Sequence, residues 1–245
     1  MNSCKVIEQV VDKGLCIGCG LCVSACGDNT LKMELSEYGF LEPRQVNSCG
    51  PSCKGNCLSV CPFNPEPNND VRTETELAKT FLKDSKKHND SIGKYINTYA
   101  GFSNEHRANS SSGGVATYTL IELLTRKEID YVISVKDVTA SSAHYEYAIS
   151  STREELLQGA KTRYYPVTLA GVFDKVKELD GKFAIVGVPC FIKSVRLAQK
   201  VDPILKDKIK FLVGIICGGV KSTFFAEYLA SKTGVSVSEY SKPEF

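Results

Sequence analysis

The sequence predicts an α+β protein in which a small cysteine-rich N-terminal unit precedes a larger α/β unit with a mixed or parallel sheet. Three observations carry that expectation. Eight of the 11 cysteines fall between Cys16 and Cys61, a break rich in proline and asparagine follows at Pro62–Asp70, and from Tyr95 onward strand signals alternate with helical periodicity. The expected units are residues 1–66, a linker with a helix over 67–94, and the α/β unit over 95–245.

The cysteines form two blocks, Cys16-x2-Cys19-x2-Cys22-x3-Cys26 and Cys49-x3-Cys53-x3-Cys57-x3-Cys61-Pro62. Three thiolates two residues apart on one tight loop wrap a corner of an iron-sulfur cube, and the fourth ligand typically comes from the other block. Two blocks therefore predict two 4Fe-4S clusters with crossed ligation. Cys16, Cys19, Cys22 and Cys61 would hold one, and Cys49, Cys53, Cys57 and Cys26 the other. Gly18 and Gly20 suit a loop this short, which needs positive φ and amides aimed at sulfur. Zinc is the plainer alternative, but it favours paired C-x2-C knuckles over an unbroken run of four. The second block is the looser of the two, and Gly27 stands where a proline usually follows the fourth cysteine. Cys4 stands apart from both blocks and reads as a spare thiol.

A hydrophobic share of 42% over 245 residues is enough for a substantial core. Thirty basic against 28 acidic residues gives a net charge of +2, which offers no electrostatic case for nucleic acid or an anionic membrane. The N-terminus lacks the pattern of a signal peptide, and no window has the apolar length of a membrane span. Eleven thiols in that setting point to the reducing cytoplasm, where cysteines serve metals and redox chemistry.

Along the chain, Leu31–Leu35 alternates as a strand does, and Tyr38–Leu41 reads as a turn and return strand, like the hairpin of a small two-cluster ferredoxin. A polar helix is expected from about Thr73 to Lys87, then a strand at Tyr95–Ala100. A helix over Val115–Lys127 follows, with apolar residues at Val115, Tyr118, Ile121 and Leu124. The run Ser111, Ser112, Gly113, Gly114 at its N-terminus offers free N–H groups to the phosphate of a nucleotide or flavin, or is an N-cap with a flexible connector.

Strands are expected at Tyr131–Val135 and Tyr145–Ile149, with capping boxes at Ser151 and Thr152 opening a helix through Gln158. The loop holding Lys161, Thr162 and Arg163 beside Tyr164 could grip a phosphate or lie solvated. Two strand-to-turn units follow. One ends at Gly187-Val188-Pro189-Cys190 and the other at Cys217-Gly218-Gly219, and ligands of α/β sheets bind outside such carboxyl ends. Cys190 and Cys217 stand as ligands, redox thiols or small core residues. Gly214-x4-Gly219 places its lysine one position too late for a phosphate-binding loop, and G-x-G-x-x-G is absent. His88, His106 and His144 show no ligand spacing. By location alone, His106 and Tyr164 are candidate proton-transfer groups.

CIGCGLCVSAC, RANSSSGGVATYTLIELL, YAISSTREELLQGAKTRYYPV, FAIVGVPCFIKSVR and LVGIICGG, in that order, resemble the family of coenzyme F420 hydrogenase/dehydrogenase beta subunits. The resemblance implies a ferredoxin-like N-terminus with two 4Fe-4S clusters joined to an α/β flavin-binding domain, usually carrying FAD. It places Ser111 to Gly114 at the flavin phosphates with Lys161, Thr162 and Arg163 nearby. Gly187, Pro189 and Cys190 would then lie beside the isoalloxazine or a further cluster. Implied partners are ferredoxin or another redox protein and a catalytic partner subunit. Family members commonly extend well beyond Phe245, which suggests a truncated version or a fragment whose missing lobe could hold part of the substrate site. The resulting expectation is an oxidoreductase that moves electrons between clusters and a flavin-bound two-electron carrier such as coenzyme F420. Two alternatives are an electron-transfer subunit with no substrate site of its own and a zinc-stabilised interaction module.

Overall fold

The computed structural model describes residues 3–26, 29–51, 53–65, 73–138 and 144–241. The expected boundary at Pro62–Asp70 is therefore described only as far as residue 65, and Gly27 lies outside the described residues.

The N-terminal unit opens with a π-helical turn, Ile7–Val11, and has two short helices, α1 (Leu21–Ser24) and α2 (Asn56–Ser59). Between them lies the antiparallel hairpin β1 (Leu31–Leu35) and β2 (Leu41–Gln45). The return strand begins where the sequence suggested it would end, because the turn occupies 36–40 and Gly39 takes φ +73° there. Gly20 and Gly55 stand at the N-caps of α1 and α2 with φ +77° and +69°, so each thiol-bearing loop enters its helix through the same left-handed residue.

The helix expected over Thr73–Lys87 is shorter. α3 spans Glu74–Phe81, opened by a reciprocal bond between Thr73 and Glu76. Lys87 instead begins the small hairpin β3 (Lys87–Asn89) and β4 (Gly93–Tyr95). The strand expected at Tyr95–Ala100 is not one beyond Tyr95, since Ile96 and Tyr99 stand exposed with no neighbouring strand among the described residues.

The α/β unit holds a mixed four-stranded sheet in the order β6-β5-β7-β8. Its strands are β5 (Tyr131–Asp137), β6 (Tyr145–Ser150), β7 (Phe183–Gly187) and β8 (Ile209–Gly214). β6 runs antiparallel to β5, whereas β5, β7 and β8 are parallel. Alternate residues serve opposite faces. Ile133, Phe183 and Ile185 face α6 (Val172–Glu178) and α7 (Pro189–Val201), packing on Phe173, Val176, Phe191 and Val195. Val132 and Ala184 face α4 (Val115–Thr125) and α5 (Arg153–Gln158), packing on Leu120, Ile121 and Leu156. Strands covered on both faces read as continuous apolar runs, which is why β5 and β7 were legible. In α4 the buried residues are Leu120 and Ile121, while Val115 and Tyr118 of the expected stripe are about half exposed. α8 (Pro203–Lys208) precedes β8 in the chain and α9 (Thr223–Lys232) follows it.

Cys19, Leu21 and Val60 belong to the same buried cluster as Phe173, Phe183 and Val195. The Leu169 amide donates to the Cys19 carbonyl at 2.9 Å, and the Thr223 amide donates to the Gly39 carbonyl at 2.9 Å. The metal-type loop and the hairpin tip are thus both tied to the α/β unit.

Candidate functional site

All eleven cysteines carry free thiols. Cys16, Cys19, Cys22 and Cys61 line one narrow cleft with apolar walls that include Val6, Ile17, Pro43 and Phe63. Gly18 donates its amide toward Cys16 Sγ at 3.5 Å, and a Cβ there would lie 2.7 Å from the Leu41 carbonyl, so the loop needs glycine. Burial pushes the Cys19 thiol up to about 11 and Cys61 up to about 12, with neighbouring thiols adding to the rise. Cys22 rises for the same two reasons, its thiol neighbours being Cys19, Cys16 and Cys61. Three buried thiols, Cys19, Cys22 and Cys61, with the half-buried Cys16 beside them, are costly as bare thiolates, whereas bound iron compensates that charge. The donor set therefore fits a metal centre.

Thiols of the second set share a hydrophobic cluster with Cys16, Cys22 and Cys61 of the first. Cys57 is buried, Cys26 and Cys49 are half-buried and Cys53 is exposed. Cys57 senses the charge of Cys26, and Cys49 that of Cys53. Cys4, whose place in the sequence predicts a spare thiol, is instead 1% exposed with Sγ 3.5 Å from Cys57 Sγ. Their hydrogen bond raises the Cys4 thiol and lowers that of Cys57. Among the described residues no three Cys, His, Asp or Glu side chains converge as they would around one bound ion.

The other predicted residues gather at one edge of the sheet. Because β5, β7 and β8 are parallel, Asp137, Gly187 and Gly214 end on the same side, and α4, which leads back to the start of β5, begins there. Ser111 to Gly114 therefore stand at that edge, beside a cleft of about 580 Å³ lined also by Phe102 and Arg107. A Cβ on Gly114 would lie 2.8 Å from the His106 backbone, so this turn too needs glycine.

The Thr162 amide donates to Ser111 Oγ at 2.9 Å, joining two predicted segments 51 residues apart. Lys161 is exposed at φ +77°. The Arg163 side chain is buried, 3.4 Å from Asp137 and 5.2 Å from the Tyr145 ring centre, and so braces β5 against β6. His106 is buried, its amide donating to Ser103 Oγ at 3.2 Å, whereas Tyr164 is exposed.

The Gly187–Cys190 turn meets the first thiol set. Pro189 opens α7 and Cys190 is half-buried in its first turn. Ser194, four residues on, accepts from the Cys19 thiol at 3.6 Å and donates to the Val60 carbonyl at 2.8 Å. Burial, then the charges of Cys190 and Cys19, raise the Tyr147 hydroxyl, which lies beside Gly187. Cys190 also senses Cys217, which is exposed.

Models of the N-terminal and C-terminal parts of the coenzyme F420 hydrogenase/dehydrogenase beta subunit match residues 98–174 and 180–245, together more than half of the chain. The chain belongs to this family. A 4Fe-4S binding domain matches residues 10–32, which include Cys16, Cys19, Cys22 and Cys26. Family relatives include the coenzyme F420-dependent sulfite reductase of Methanocaldococcus jannaschii, 26% identical over 96% of this chain and 36% of the relative. Another is a subunit of the F(420)H(2) dehydrogenase of Methanosarcina mazei, 23% identical over 86% of this chain and 55% of the relative. The chain thus spans between about a third and somewhat over half of these relatives. Among solved structures, the F420-reducing [NiFe] hydrogenase complex of Methanosarcina barkeri shares the fold. The TM-score is 0.54 at 22% identity, over 59% of this chain and 52% of that one. Among the described residues no helix is long and apolar enough to cross a membrane.

Proposed function

We propose that this member of the family is an iron-sulfur flavoprotein module that passes electrons between two 4Fe-4S clusters and a flavin, FAD by preference. A two-electron carrier such as coenzyme F420 would be served at the sheet's carboxyl edge, in a multi-subunit redox assembly of a reducing compartment. One observation carries the reading. Cys19, of the first thiol set, is linked through Ser194 to the helix whose first turn holds Cys190. That contact supports electron passage from the thiol-bearing head to the strand ends where α/β sheets bind ligands.

Bound clusters supply one-electron steps, and a bound flavin supplies one- or two-electron steps. Cys16, Cys19, Cys22 and Cys61 would hold the first cluster. The second would draw on Cys26, Cys49, Cys53 and Cys57. Ser111, Ser112, Gly113 and Gly114 would face the flavin phosphates through free amides at the head of α4, with Thr162 fixing Ser111 and Lys161 adding charge. Arg163, already engaged with Asp137, would hold the loop rather than the ligand. Ser194 would steady Cys19, and the apolar walls around the first thiols would keep water out.

A second reading, an electron-transfer subunit docked on a catalytic partner, draws on the β8 side of the sheet. Phe211 and Ile215 are more than a third exposed there and Ile216 is wholly exposed.

The deciding experiment is anaerobic purification with metal, sulfide and flavin analysis. About eight iron and eight sulfide per chain and one released flavin are expected. A colourless protein overturns the proposal. Clusters without flavin after reconstitution would leave only the electron-transfer subunit.

A further inference from the structure

Cys4 belongs to neither thiol block, yet its Sγ lies 3.5 Å from that of Cys57, 53 residues on, and both side chains are buried. Two sulfurs at hydrogen-bond distance are too close to bind separate irons of one cube. We propose that Cys4 and Cys57 are a redox-active dithiol, closed to a disulfide by a small-molecule disulfide such as oxidised glutathione while the second metal position is unloaded. The consequence for cluster loading rests on the two-cluster reading above, and the dithiol itself does not.

The fold holds the pair in place. The Cys4 amide donates to Gln45 Oε1 at 2.8 Å, and its carbonyl accepts from the Ile7 amide at 2.8 Å. Cys57 stands in α2, and the Val6 amide serves both sulfurs. The sulfurs have to close from 3.5 Å to a bond of about 2.05 Å, a distance that side-chain rotation spans. At 1% and 4% exposure, neither is open to direct attack by an oxidant. Cys49 supplies the route. It is half-buried, within hydrogen-bonding range of Cys4 on one side and of Cys53 on the other, and Cys53 is exposed. Cys53, Cys49, Cys4 and Cys57 thus form a file from solvent to interior, not a ring around one centre.

Thiol–disulfide exchange passes down that file. Cys53 attacks oxidised glutathione, forming a mixed disulfide and releasing one glutathione thiol, and Cys49 then displaces the second glutathione. The bond moves from Cys49–Cys53 to Cys4–Cys49 and then to Cys4–Cys57 as each inner thiol attacks in turn. It rests on the innermost pair, where burial shields it from reduction. In sum, two thiols lose two electrons and two protons, one small disulfide becomes two thiols, and Cys49 and Cys53 return unchanged. The closed bond withholds Cys57 from the second ligand set, so that site loads a cluster only after a reductant has reopened it.

The test takes full-length wild type, Cys4→Ser and Cys53→Ser, held anaerobically before cluster reconstitution. Each is poised with mixtures of reduced and oxidised glutathione, alkylated and mapped by mass spectrometry. In wild type, Cys4 and Cys57 are expected to lose alkylation together, with the Cys4 peptide recovered joined to Cys57. Cys57 should stay open to alkylation in Cys4→Ser at the same poise. In Cys53→Ser the bond should form roughly tenfold more slowly and reach the same end point. After glutathione is removed and clusters are reconstituted, reduced wild type should take up about eight irons and oxidised wild type about four. Cys4 left unpaired, or joined to other cysteines as often as to Cys57, overturns the proposal, as does full iron in the linked protein. An unchanged rate in Cys53→Ser overturns the route through Cys53. About four irons in fully reduced wild type would instead refute the two-cluster reading, while the mass spectra still decide the dithiol.

Discussion

Gly20 should be far less replaceable than its counterpart Gly55, although both cap a helix after a thiol loop with nearly the same φ. A Cβ on Gly20 would lie 2.0 Å from Thr168 Oγ1, 2.9 Å from the Ala170 nitrogen and 3.0 Å from the Ala170 Cβ, whereas one on Gly55 meets nothing within 4 Å. Thr168 cannot simply rotate aside, because its Oγ1 accepts the Ala170 amide at 3.2 Å. The backbone cannot back off without stretching the bond from Leu169 to Cys19.

Alanine in the left-handed region costs about 1–2 kcal/mol, offset by about 0.4–1 kcal/mol from a stiffer unfolded chain. Gly55→Ala should therefore cost about 1 kcal/mol net, or about 2–4 °C in a chain of this size. Gly20→Ala adds the overpacking term of about 1–3 kcal/mol, for about 2–4 kcal/mol in all and a melting point lower by roughly 5–15 °C. The assay is anaerobic thermal unfolding of the two variants side by side. Pairing them matters because metal release spoils a two-state analysis of either alone. Melting points within about 1 °C of each other would refute a steric role for the loop's contact with residues 168–170.

Ser194→Ala removes the bond to the Val60 carbonyl and the contact with Cys19. The expected result is a loss of about 1–2 kcal/mol, with any change of reduction potential confined to the first cluster, read by redox titration. Ser111→Ala breaks the tie to Thr162. On the proposed flavin reading, it should weaken flavin binding roughly three- to tenfold in a fluorescence titration while moving the melting point little, since a net hydrogen bond is worth about 0.5–1.5 kcal/mol. Burial opposes ionisation of Asp202, but Lys177 Nζ at 2.8 Å and the Ile204 amide at 2.9 Å outweigh it and hold the carboxyl below its usual range. A depressed native value gives stability that is present above about pH 4 and lost as pH falls through the native value. Asp202→Asn keeps a cap on α8, so its melting point should converge with that of wild type between pH 6 and pH 3.5. The gap at pH 6 should be under about 1 kcal/mol, because Lys177 is more than a third exposed.

What was legible in the sequence had a local physical cause. β1, β5, β7 and the cap of α5 follow from alternation, apolar runs and a Thr-x-x-Glu pair, all carried by neighbouring residues. The β3–β4 hairpin was not legible, because Lys87, His88 and Asn89 are exposed and carry no period-two signal. Ile96 and Tyr99 gave the opposite error, an apolar pattern with no partner strand to receive it. At the candidate site, the first thiol block could be read from its own spacing, and the 4Fe-4S domain match covers it. The bond from Thr162 to Ser111 and the position of Cys4 against Cys57 arise from tertiary folding across 51 and 53 residues, which no spacing encodes.

The union of Cys19, Leu21 and Val60 with the sheet interior spreads any damage to the head through the whole molecule. Air that corrodes an iron-sulfur centre at Cys19 would loosen a wall of the interior that Phe183 also relies on. Aerated samples should therefore become digestible by trypsin throughout the chain, not merely near the front, and intact bands on a gel would serve as a simple gauge of how well a preparation was protected.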